Sequence, residues 1–262
     1  MWPFSKSKKN KKNTADHAID VGNFYDKNHS AFIQVYGEVI QAFRTNNLDS
    51  ILNYQIHQIG LKPEYKVLDA GCGVCGPARY FAKNTGCSID AVSVSATQVN
   101  SAKAYIEKEN LQDKISVHQY DYHEVDKLFP KENFDKIYFL ESFGHSTDKE
   151  KLLKAMWKVL KPGGEIYIKD LFRRISSSWL VQRKIDIEIN KINKAYHYEV
   201  ADLSEFVKVV REIGYVIEFV KTIDIPLDEF ENLVAAKKRL SIAVPIALLL
   251  IFILLFLAFN SV

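Results

Sequence analysis

Apolar positions along residues 66–170 alternate between two periods. Short apolar runs bounded by polar turns lie at 66–69, 88–94, 115–119, 134–140 and 165–169 and predict strands. Between them, residues 77–84, 97–110 and 149–160 predict helices. Val99, Ala102 and Ile106 share one face of the second, and Leu152, Leu153, Met156, Trp157 and Leu160 line the third. Pro162-Gly163-Gly164 stops that last helix. Such alternation predicts an α/β domain, doubly wound around a mostly parallel sheet. Beyond Asp170 the pattern changes: 175–195 reads as an amphipathic helix, 204–213 as a helix ended by Gly214, and 215–223 as a strand. Residues 175–200 exceed what a minimal doubly wound domain needs and are expected to cap a ligand crevice. Residues 16–60 are a second addition, mostly helical and rich in aromatics.

The two ends differ from the middle. Residues 242–259 form an eighteen-residue run without a charge, preceded by Lys237, Lys238 and Arg239. As a helix the run spans about 27 Å, near the hydrocarbon thickness of a bilayer. A buried core helix is the alternative, but core helices keep a polar edge. The expectation is a single C-terminal transmembrane anchor over 240–260, with the basic triplet holding the main domain on the cytoplasmic side. Residues 1–15 carry Lys6, Lys8, Lys9, Lys11 and Lys12 beside Trp2 and Phe4. They read as a solvated tail or as a contact for anionic lipid heads. The main domain then occupies 16–235.

Composition narrows the function classes. With 47% apolar and 26% charged residues in 262, the chain affords a full core, and disorder is excluded. A net charge of +3 is too small to argue for nucleic acid. Cys72, Cys75 and Cys87 are odd in number and clustered, which points to a reducing compartment. Cys72 and Cys75 form a Cys-x-x-Cys, but no second pair accompanies them, and no metal is expected.

The most informative stretch is Val67-Leu68-Asp69-Ala70-Gly71-Cys72-Gly73-Val74-Cys75-Gly76. A strand enters a glycine-rich turn that opens a helix, which lets backbone lie against a ligand. Gly-x-Gly-x-x-Gly alone also fits a dinucleotide enzyme. Here the acidic residue, Asp69, precedes the first glycine, and the second strand ends Ser93-Val94-Ser95 with no carboxylate for a ribose.

Residues 20–170 resemble class I S-adenosylmethionine-dependent methyltransferases. Gly71 to Arg79, followed by Thr85-Gly86-Cys87, is most similar to sterol C-methyltransferases, with the tocopherol methyltransferase and cyclopropane fatty acid synthase group close by. Ala91 to Gln98 resembles their Gly-Leu-Thr-Leu-Ser-x-x-Gln segment, Phe24-Tyr25-Asp26 their aromatic motif, and Leu140 to His145 their Glu-Ala-x-x-His segment. Cys75 stands where those relatives carry glycine. Ser93 replaces the usual acidic residue, as a hydroxyl does in the cyclopropane group.

The resemblance implies a Rossmann-like methyltransferase fold and S-adenosylmethionine as cofactor. It assigns Asp69, Gly71, Cys72 and Gly73 to the methionine end, and Ser93, Val94 and Gln98 to ribose and adenine. Asp121 falls to the adenine amino group, and Tyr25 and Glu141 to the closing wall. Glu141 and His145 are candidates for chemistry, since they follow a strand at the sheet's carboxyl edge where ligands bind, and Tyr25 joins them as an aromatic expected to line the same cleft. An apolar pocket is expected to raise the Glu141 carboxyl toward a useful base. Tyr36, Tyr196, His197 and Tyr198 are weaker candidates for the same cleft. The expected acceptor is a lipophilic small molecule, first a prenoid or sterol-like alkene. Open alternatives are O- or N-methylation of a quinone, phenol or phospholipid head group, and a non-catalytic cofactor-binding scaffold.

Overall fold

The computed structural model describes residues 13–42, 45 and 47–222. They fall into two groups. Residues 13–42 and 52–220 carry the sheet and every element below except the first turn of the second helix; residues 45, 47–51, 221 and 222 belong to the other group. Two helices come first, α1 (Thr14–Tyr36) and α2 (Leu48–Ile59). The alternating body follows: β1 (Lys66–Ala70), α3 (Gly76–Thr85), β2 (Ser88–Ser93), α4 (Ala96–Lys108), β3 (Ile115–Gln119), the single turn α5 (Val125–Leu128), β4 (Phe134–Leu140), α6 (Lys149–Val159) and β5 (Leu160–Lys169). A two-stranded ribbon, β6 (Phe172–Arg173) with β7 (Ala201–Asp202), brackets α7 (Trp179–Tyr196), and α8 (Leu203–Ile213) closes the described chain.

The five strands pair in the order β3-β2-β1-β4-β5, all parallel. Parallel strands are covered on both faces and so carry near-continuous apolar runs. Val67, Leu68, Ile137, Phe139 and Tyr138 accordingly lose almost all solvent contact. The order reverses between β1 and β4, and that switch point opens a crevice beyond the strands' carboxyl ends.

Local chemistry sets the helix ends beside it. The Ser95 side chain accepts from the Gln98 N–H to cap α4, and Asp148 does the same for α6 through Lys151. Gly86 and Gly214 end α3 and α8 in left-handed geometry.

Two expectations change. β5 begins at Leu160, opposite Phe134, but the next pair is Lys136 with Glu165; residues 161–164 therefore bulge out of the strand around Gly163 rather than preceding it. Residues 215–222 form no strand. Tyr215 and Ile217 pack against the core, with Tyr215 edge-on to Trp157, yet among the described residues no neighbouring strand supplies a ladder. Alternation reports which side chains face inward, whereas a strand also needs a partner.

Among the described residues no helix is long and apolar enough to cross a membrane. The anchor expected over 240–260 lies outside them, as do residues 1–12 of the tail expected over 1–15; the end of that tail is instead helical, with Asn13 capping α1 and Thr14 and Ala15 in its first turn.

Candidate active site

One cavity, with about 880 Å³ of empty space partly open to solvent, sits over the switch point. Its floor comes from the ends of β1, β2 and β4 and the turns that follow. Asp69, Gly71, Cys72, Gly73, Ser93, Val94, Gln98, Asp121, Glu141 and His145 all line it, and Tyr25 reaches it from α1. Every residue expected to hold cofactor or do chemistry is thus gathered at one place. Tyr36 is not among the lining residues: it stacks on Phe32, along α1.

The glycine turn is built for close approach. Gly71 has φ +104, and a Cβ there would run into Ser142. The N–H groups of Gly71 and Cys72 both donate to the Val92 carbonyl at 3.0 Å, which locks the turn to β2. Cys75 adopts φ 58 and ψ 27, left-handed for a residue with a Cβ. Glycine adopts that geometry at least cost. The cysteines are free and buried; a hydrogen bond with Cys75, together with burial, pushes the Cys72 thiol well up. The Cys72 sulfur is therefore a poor redox or metal group at neutral pH.

Asp69 accepts a hydrogen bond from Tyr138 Oη at 3.0 Å, and burial raises its carboxyl to about 7. Such a carboxylate is short of a cation. Ser93 Oγ donates to Gln98 Oε1 at 3.1 Å, so these two hold each other beside the turn. Asp121 Oδ1 takes the His123 N–H at 2.9 Å and His123 Nδ1 at 2.7 Å, while His123 Nε2 meets Ser146 Oγ at 2.8 Å. The position of Asp121 is thus set by a buried histidine.

The opposite wall holds the reactive groups. His145 lies in a 3₁₀ turn (Phe143–His145) after β4. Its Nδ1 is 3.3 Å from the His197 carbonyl oxygen, which can only accept, so Nδ1 carries the hydrogen. Nε2 is then an acceptor for Tyr25 Oη at 2.9 Å. Burial lowers the imidazole pKa to about 3 and pushes the Tyr25 phenol up. At neutral pH the pair is a neutral histidine and an intact phenol. The Tyr198 ring stands edge-on over His145 with centroids 4.3 Å apart. Its hydroxyl donates to the Glu141 carbonyl at 2.6 Å. Tyr196 and His197 pack on Phe24, but neither they nor Tyr198 is among the residues lining the cavity; the insert stands behind the wall, through Tyr198 and the His197 carbonyl against His145.

Glu141 departs from the expectation of an apolar setting. The buried ammonium of Lys169 is ion-paired with its Oε1, and the Ala42 N–H donates to Oε2 at 2.6 Å. Lys169 also donates to Gln41 Oε1 at 2.7 Å, and Gln41 and Gln55 bond each other. Lys169 and Gln41 escaped the reading of the sequence. The signal for Lys169 was a charge closing a strand that should be apolar; Gln41 had no local signal. The stretch 37–42 is pinned again where Arg79, between Glu38 and Glu109, grips Glu38. A Cβ at Gly76 would collide with the Glu38 carbonyl, so α3 and this stretch lie in contact.

Comparison with known proteins settles the family. The model of the methyltransferase domain matches residues 67–164. A sterol 24-C-methyltransferase of Gibberella zeae is 38% identical over 142 residues, 52% of this chain and 36% of that protein. One from Yarrowia lipolytica is 33% identical over 184 residues, covering 68% of this chain and 46% of its own. This is a class I S-adenosylmethionine-dependent methyltransferase domain, close to the sterol C-methyltransferases.

The methyltransferase domain spans less than half the length of those curated relatives. Among solved structures, a geranyl diphosphate methyltransferase in complex with GPP and sinefungin superposes with a TM-score of 0.69 at 14% identity, over 84% of this chain and 88% of that one. That likeness concerns the fold. The cofactor is S-adenosylmethionine, and the cavity fits it. The glycine turn leaves room for backbone contact, and the uncompensated Asp69 suits the ammonium of the cofactor's methionine end.

Proposed function

We propose that the chain methylates a carbon of a lipid-soluble alkene, of prenoid or sterol-like type. The observation that carries this reading is the neutral His145–Tyr25 pair in an aromatic wall facing the cofactor turn. When bound, S-adenosylmethionine supplies the methyl group. Methyl addition to an alkene leaves a cation on the acceptor, which must be stabilised and then lose a proton. The ring of Tyr25 and the Glu141 carboxylate offer the stabilisation.

His145 takes the proton in preference to Glu141, whose oxygens are engaged by Lys169 and the Ala42 N–H. The acceptor's proton passes to Tyr25 Oη as Tyr25 hands its own to His145 Nε2. The Nδ1–H stays on the His197 carbonyl throughout. An imidazole of pKa about 3 is a weak base, but a carbocation is a far stronger acid than its imidazolium, so the transfer runs downhill and the imidazolium releases the proton readily afterwards. The sterol 24-C-methyltransferase names of the relatives support the same acceptor class.

A lipid-soluble acceptor fits the apolar run at 242–259 and its basic flank, which we read as a single-pass anchor holding the domain on the cytoplasmic side. The test is incubation of detergent-solubilised full chain with methyl-labelled S-adenosylmethionine and total lipid extract, followed by mass analysis. Label in a neutral lipid is expected. Label in a polar head group or a phenol overturns C-methylation. Cofactor binding without any label favours a scaffold.

A further inference from the structure

Helix α7 has its faces distributed in an unusual way. Residues on its inner side are half-buried and include polar ones tied to the body: Asp186 ion-pairs with Arg173 at 2.8 Å, and Asn193 Oδ1 accepts from the Val200 N–H at 3.0 Å. No residue of the helix is buried. Its outer side carries Leu180, 63% exposed, and Ile187, 46% exposed, two turns apart. Trp179, 68% exposed, and Ile175, 71% exposed, extend the apolar surface at its start. At 100° per residue, Arg183, Lys184, Lys191 and Lys194 flank the Leu180–Ile187 line on both sides. The acid nearest that face, Glu188, is paired with Lys191.

Bare leucine and isoleucine rimmed by lysine and arginine form the pattern of a helix lying in a membrane interface. The apolar side chains enter the acyl boundary, and the long basic ones meet the head groups. Packing against the domain does not account for them, because they point away from it. The apolar run at 242–259 supplies a second, independent reason for a bilayer to be near.

We propose that the outer face of α7 docks on a bilayer bearing anionic lipids. The far end of the same helix runs into His197 and Tyr198, which touch His145 and the Glu141 carbonyl. The docked helix therefore joins the membrane surface to the wall of the cavity, and a lipid acceptor enters along it. That last step rests on the lipid-acceptor reading above; the docking does not.

The test uses full-length protein with a nitrobenzoxadiazole dye on I187C, reconstituted in vesicles of phosphatidylcholine alone or mixed with phosphatidylserine. The native cysteines are buried, which favours labelling at the new site. The expected result is a blue-shifted emission that nitroxide-labelled lipid quenches by roughly twofold or more, with stronger quenching when phosphatidylserine is present. R183E with K184E should remove the phosphatidylserine dependence while cofactor binding persists.

A solvent-like, unquenched dye in both vesicles overturns the proposal. So does a blue-shifted dye that lipid nitroxide cannot quench, because the face is then covered by protein, either residues 223–262 or a second copy. Equal quenching in both lipids overturns the requirement for anionic head groups. The readout needs no turnover: quenching without methyl transfer leaves the docking standing and sinks the lipid-acceptor reading, and the reverse outcome separates them the other way.

Discussion

The two walls of the cavity are assembled in different ways. The cofactor wall, Asp69 to Gly73 with Ser93, Val94 and Gln98, comes from one continuous strand–turn–helix–strand–turn unit whose groups bond mainly to one another. The reactive wall is gathered from α1, residues 37–42, the turn after β4, the end of β5 and the residues after α7, joined by single polar contacts. A wall built locally keeps its geometry when a distant element shifts. One built from five stretches can be retuned for a new acceptor by changing any of them, at the risk of losing alignment.

That contrast can be broken most sharply at His145. His145→Gln should lower turnover on the order of 10²–10⁴-fold while cofactor affinity stays as it was, because the lost group belongs to the reactive wall alone. Single-turnover rates and cofactor calorimetry give the two numbers; a parallel loss of affinity would merge the walls.

Asp69→Asn tests the other side. Cofactor affinity should fall on the order of 100-fold, the scale of a charge-assisted contact. The pH dependence should change with it. The carboxyl of Asp69 sits at about 7 in the cofactor-free fold, above its ordinary 3.8. From about pH 4 to 7 the folded protein holds a proton that the unfolded chain has released, so stability from this group falls as pH rises through that window. A cationic ligand expels the proton, so cofactor should bind more tightly as pH climbs toward 7. The asparagine variant should lose that slope in calorimetry.

His145 carries the opposite sign. Its folded pKa of about 3 lies below the ordinary 6.5, so below pH 6.5 the unfolded chain gains a proton that the fold refuses. Wild-type stability should drop by about 1 kcal/mol per pH unit between roughly pH 6 and 4 from this group. Denaturant melts of His145→Gln should lack that component, so the variant gains on the wild type as pH falls.

The smallest expected effect is at Cys75. Glycine there would relieve left-handed strain of about 1–2 kcal/mol and surrender a fully buried side chain worth a similar amount. Cys75→Gly should melt within about 1 kcal/mol of the wild type. A large loss would mean the sulfur supports the turn.

How much was legible in advance follows the same division. The strands at 115–119 and 134–140 and the glycine turn were readable because each is written in consecutive residues. Asp121 could be named, but not the His123 that fixes it, since a histidine two positions along has no pattern of its own. Lys169 and Gln41 were missed for a different reason: Lys169 meets Glu141 only after β4 and β5 pair, and Gln41 meets Lys169 only when residues 37–42 reach the cavity. Tyr36 failed as a cleft residue because an aromatic on a helix satisfies itself equally well against a neighbouring ring.

The pairing of Lys169 with Glu141 has a consequence for descent. Each charge is offset in the interior in part by the other, so losing either alone leaves the remaining buried ion less well compensated. A lineage diverging from this chain that changes one of the two is therefore under pressure to change the other, so along the line of descent the pair should tend to change together.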